Sequence, residues 1–142
     1  MNYYMRNRDR LLDKQIKYER EKYNNDLEFK LFKRYQSRLN NHFGYKKYKA
    51  EYLLGCSKEF FKNWILFALK DTGKNISMLD DLDLHHVKSV NSSPKDLSLW
   101  CWMNILPITE KENLERGDSR DRNEELKQEK RVIRFLGSLL LK

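Results

Sequence analysis

Two adjacent histidines, His85 and His86, are followed by Asn104 eighteen residues later and by Asn113 nine residues after that. An imidazole can take a proton near neutral pH or ligate a metal, and a carboxamide oxygen suits a hard divalent cation. The set could therefore supply a general base and a metal cage. The pair lies in LDLHHVKSV, and the two asparagines lie in WMNILPITEKENLERGD.

The charge of the chain points to a polyanionic partner. Of 29 Lys/Arg against 21 Asp/Glu overall, residues 1 to 50 hold 14 against 6, and the remaining residues hold 15 of each. All of the net +8 therefore sits in the first third. Cations concentrated in this way neutralise phosphates and release condensed counterions, the signature of a nucleic-acid arm. Tyr18, Tyr23, Tyr35, Tyr45 and Tyr48 are interleaved with the bases and can stack or hydrogen-bond. The bland alternative is a solvated helix surface.

With 142 residues there is room for one domain with a modest core and a helical appendage. Aromatic residues make up 13% of the chain, enough large side chains to fold despite 35% charged residues. Cys56 and Cys101 stand in apolar settings without CxxC spacing, which argues against a zinc ribbon and a disulfide scaffold and for a reducing, intracellular compartment. MNYYMRNRDR has no apolar signal region, and the apolar run from Trp64 to Leu69 is too short to span a bilayer. The expectation is an unsecreted protein without a membrane partner.

Positioning these residues requires several elements. Helical spacing predicts a thin-faced helix from about Arg6 to Tyr23. A second helix after Asn24-Asn25-Asp26 repeats Leu27, Leu31, Tyr35 and Leu39 every four residues and ends at Gly44. The basic run YKKYK leads into LLGCSKEFFKNWILFAL, where Ser57 caps a third helix carrying Phe61, Trp64, Ile65 and Leu69. Beyond Gly73 the pattern changes to two short strands, one with the histidines and one within Trp102 to Ile108, joined by the turn-rich NSSPKD. Thr109 caps a short helix stopped by Gly117. A last helix from about Asn123 to Leu141 has an apolar end of Val132, Ile133, Phe135, Leu136, Leu139 and Leu140, which either covers the core or pairs two chains as a homodimer.

Residues 30 to 118 resemble the HNH endonucleases of the ββα-metal fold, and more narrowly their phage and large-virus branch, through LLGCS at 53–57, LHHVKSV at 84–90, NILPI at 104–108 and ENLERGD at 112–118. The resemblance implies an α+β fold: residues 1–50 form a basic helical arm, 51–118 the HNH nuclease core, and 119–142 a C-terminal amphipathic helix. It makes His86 the general base that activates water, Asn104 the residue that orients it by bridging the loop, and His85 and Asn113 the metal ligands. The implied reaction is metal-dependent hydrolysis of DNA phosphodiester bonds. His85 departs from the branch, which usually has Asp there, and resembles the His-His pair of the nuclease bacteriocins. A neutral imidazole in place of a carboxylate should weaken Mg2+ and favour Mn2+, Ni2+, Co2+ or Zn2+. Ser89 stands where proline is common.

Lys46, Lys47, Lys49, Lys88, Lys111 and Arg116 are the candidate phosphate contacts. His42 receives no role, Trp100 and Trp102 read as core, and Cys56 reads as a small packed residue. Asp80, Asp81 and Asp83 read as a loop surface, with Asp83 an auxiliary metal contact at most. Two other functions stand beside the nuclease: an inactive relative of the same fold that binds or packages nucleic acid, and a helical interaction protein.

Overall fold

The computed structural model describes residues 3–116 and 121–141. They form an α+β structure with a two-stranded antiparallel sheet. In chain order the elements are α1 (Tyr3–Asn25), α2 (Leu27–Phe43), α3 (Ala50–Leu54), α4 (Lys58–Asp71), β1 (Leu82–His86), β2 (Ile105–Thr109), α5 (Glu110–Arg116) and α6 (Arg122–Leu140). Short 3-10 helices occupy Ile76–Asp81 and the connection between the strands. No described helix is long and apolar enough to cross a membrane.

Local chemistry sets the helix boundaries. Asp26 accepts from the Phe29 amide at 3.2 Å and opens α2, and Ser57 Oγ accepts from the Phe60 amide at 3.1 Å and opens α4. Thr109 Oγ1 accepts from the Glu112 amide while the Glu112 carboxylate accepts from the Thr109 amide, a reciprocal capping box that starts α5 directly from β2. The helix expected after Ser57 is α4, and a short additional helix, α3, precedes it. Gly55 takes φ 77°, a left-handed conformation that closes α3 before Ser57 begins α4.

The core gathers Leu31, Tyr35 and Leu39 of α2, Phe61, Trp64 and Ile65 of α4, Leu82 and Leu84 of β1, Ile105 and Ile108 of β2, and Val132 and Phe135 of α6. α2 and α6 thus share one interior with the segment 51–118. Trp64 Nε1 donates to the Ile105 carbonyl at 2.9 Å and ties α4 to β2. Asp71, at the end of α4, accepts from Arg131 and Arg134 and holds α6 in place. Of the expected apolar end of α6, Val132 and Phe135 are buried, whereas Ile133, Leu136 and Leu140 are exposed.

The sheet register pairs Leu82 with Thr109, Leu84 with Pro107 and His86 with Ile105. Arg34 of α2 donates to the carbonyls of Leu79 and Leu82, and Arg38 donates to that of Leu84. The carbonyls of Leu82 and Leu84 therefore turn away from β2, which leaves Leu84 and Pro107 at a position without strand-to-strand hydrogen bonds. Pro107 has no N–H to lose there. The two guanidinium groups satisfy an edge that would otherwise present bare carbonyls.

Candidate active site and its charged cleft

Along β1 the side chains alternate between the two faces of the sheet. Leu82, Leu84 and His86 are buried, Asp83 is exposed and His85 is half-buried. The adjacent histidines accordingly point to opposite faces. His85 shares its face with Asp83, while His86 turns inward.

A cleft of about 490 Å³ lies between α2, β1 and α5. Its walls include Lys33, Arg34, Ser37 and Arg38 of α2, Asp83 of β1 and Asn113 of α5. Asp83 and Asn113 offer hard oxygen donors, and the α2 side chains supply positive charge. Burial lowers the affinity of Arg38 for its proton and the carboxylate of Asp83 partly offsets this, so Asp83 and Arg38 act on each other across the cleft.

His86 is only 4% exposed, and its Nε2 has no hydrogen-bond partner among the described residues. Its ring meets the indole of Trp100 edge-on, with centroids 4.3 Å apart. Burial, and then the charges of Arg38, His85 and His42, push its pKa down to about 3, so the imidazole is neutral at physiological pH. It is also a poor proton acceptor in this arrangement, because protonation would place an unsolvated cation beside Arg38. The expected role for His86 requires water to reach the ring, and in the described arrangement the ring is covered.

Asn104 closes the connection between the strands. Its Nδ2 donates to the carbonyls of Leu99, at 2.7 Å, and Lys88, at 3.1 Å, and its Oδ1 accepts from the Lys88 amide at 2.8 Å. The Asn104 carbonyl accepts from the Val87 amide. An amide side chain is required because it must donate and accept at once. The clamp fixes the backbone directly after His86.

Asn104, expected to bridge the loop, makes those bonds. Asn113 lies in the cleft with Asp83, on whose face of β1 His85 also stands. Lys46, Lys47 and Lys49 are exposed between α2 and α3. Lys88 is half-buried and lines a different groove, of about 610 Å³, between the strand connection and α6. Lys111 is exposed on α5. The side chain of Arg116, with Gly117 and Asp118 of the last sequence block, lies outside the described residues.

Lys33, Arg34 and Arg38 were not singled out from the sequence, and His42 was given no role. Arg34, Arg38 and His42 follow the same four-residue step as Leu31, Tyr35 and Leu39, one strip further round α2. That strip was the available signal. His42 lies 5.3 Å from Trp100 between ring centroids, so Trp100 has an exposed histidine near it as well as the buried one.

Comparison with protein-family models, with curated proteins and with solved structures returned no match to this chain.

Proposed function

We propose that the protein is a metal-dependent endonuclease of the HNH type that hydrolyses DNA phosphodiester bonds, with His86 as the base. The observation that carries this reading is the unpartnered Nε2 of His86. A buried imidazole nitrogen with nothing to bond to costs stability, and an acceptor reserved for a reacting water accounts for it. It lies within the electrostatic reach of Arg38, a residue of the cleft wall.

The donor set fits a divalent ion of the Mg2+ or Mn2+ class, which needs few protein ligands and keeps its remaining positions for water and phosphate. Asp83, His85 and Asn113 would hold it. Among the described residues no group of three His, Cys, Asp or Glu side chains is placed to hold a metal ion, so the amide of Asn113 belongs to the proposed set. When bound, the ion supplies charge stabilisation to the phosphoryl oxygens and to the leaving group. The cations of α2 bind and orient the scissile phosphate. Arrival of that anion beside Arg38 offsets one of the charges that depress His86, the larger cause being burial.

A second reading is favoured by one observation, the burial of His86: the same fold could bind nucleic acid without cutting it. Supercoiled plasmid incubated with the purified protein and Mn2+ or Mg2+ separates the two. Cutting by the native chain, reduced at least about 100-fold in His86→Phe with binding retained, is the expected result. Phe keeps the ring packing and removes the nitrogen. Binding without cutting by the native protein, or undiminished cutting by His86→Phe, overturns the assignment.

A further inference from the structure

The segment between α2 and α3 is built as a rigid display loop. Gly44 ends α2 with φ 110°, open to glycine, and Lys46 follows with φ 55°, a left-handed conformation that a lysine adopts only when its surroundings hold it. The Lys46 amide donates to Asn40 Oδ1 at 3.3 Å, and the Lys47 amide donates to the Gly44 carbonyl. The result is a turn that presents Tyr45 78% exposed, with the Lys46 ammonium over its ring at 5.2 Å. Residues 44–50 contain three lysines and no carboxylate.

The loop is physically joined to the candidate base. Tyr48 packs on Phe43 with ring centroids 5.0 Å apart, Phe43 on Trp100 at 5.6 Å, and Trp100 on His86 at 4.3 Å.

We infer that Tyr45 is a stacking platform for an unpaired base, with Lys46 and Lys47 contacting the phosphates on either side, so that the protein engages single-stranded or locally opened nucleic acid beside the candidate active site. An exposed π-face set among cations answers two features of one ligand. The lysines need a polyanion, and the ring needs an accessible base face, which a closed duplex keeps inside its stack. The inference rests on the nucleic-acid reading above and narrows it to a substrate class.

Fluorescence anisotropy in EDTA, where cleavage plays no part, tests it with labelled oligothymidine, an abasic oligomer of the same length and a matched duplex. The full-length protein should bind oligothymidine more tightly than either of the other two. Tyr45→Ala should weaken oligothymidine binding about tenfold and leave the abasic oligomer unaffected, whereas Tyr45→Trp should retain the native preference. Tyr45 is solvent-facing, so these variants fold; circular dichroism verifies it. Equal binding of oligothymidine and abasic oligomer, or an unchanged Tyr45→Ala variant, overturns the platform. Duplex binding that persists in that case leaves the nuclease reading standing, and failure to bind any of the three probes removes both.

Discussion

At the residue scale, His86 and His85 make opposite demands on the solvent. Burial, with help from Arg38, depresses the folded-state pKa of His86 to about 3, against an ordinary value near 6.5. Above about pH 6.5 the ring is neutral in both states and contributes no pH dependence. As pH falls below that value the unfolded chain binds a proton that the folded chain refuses, so stability declines down to about pH 3. Denaturant unfolding in EDTA should show the native protein losing roughly 2 kcal/mol more than His86→Phe between pH 7.5 and pH 5. Parallel curves would mean that water reaches His86 freely. His85 sits on the open face, and there its chemistry is selective. A neutral nitrogen ligand favours softer ions than Mg2+, so cleavage supported by Mn2+ should exceed that supported by Mg2+ at equal concentration. His85→Asp, which adds a charge and a hard oxygen, should raise the Mg2+ rate relative to the Mn2+ rate. A metal ratio unmoved by this substitution would exclude His85 as a ligand.

At the element scale, the connection between the strands depends on one side chain. Asn104 bonds to the Lys88 amide and carbonyl and to the Leu99 carbonyl, so Asn104→Ala should lower unfolding stability by about 3 kcal/mol. Asn104→Asp should recover little of that, because a carboxylate cannot donate to the two carbonyls. Full stability in either variant would show that the connection is held by its packing. A bridging role for Asn104 followed only from the family resemblance. The caps at Asp26, Ser57 and Thr109 were legible from the sequence, because capping is local. The 3-10 turns and the short helix α3 were not, for they answer to packing: Trp102, expected in a strand, rests against Trp64 and Phe135 from within a 3-10 turn. The orientation of the histidines was also hidden. Their adjacency suggests joint action, but the two-residue period of a strand separates them, and only the end of β1 decides which of the two the core receives. For the apolar end of α6 the pattern left core and pairing both open, and Val132 and Phe135 are the residues that the core receives, with Ile133, Leu136 and Leu140 exposed.

At the scale of the whole molecule, the positive charge of the first third divides between two mechanically different parts. Residues 1–25 hold seven Lys/Arg against four Asp/Glu, and residues 26–50 hold seven against two. From residue 8 to residue 21 every side chain of α1 is exposed, whereas α2 is built into the core and lends its cations to the cleft. Charge on a well-anchored element contributes more to specific binding than charge on a protruding helix, since the anchored groups are already positioned. Deleting residues 1–25 should therefore change the unfolding midpoint by no more than about 3 °C. The dependence of log K on log salt concentration should keep more than half of its slope, because each phosphate contact contributes about 0.9 to that slope and most contacts remain. Lys46→Glu combined with Lys47→Glu, in the otherwise intact chain, should cost more of the slope than the deletion does. If the deletion instead abolishes binding while the double reversal leaves it intact, α1 is the nucleic-acid interface and the segment between α2 and α3 is not.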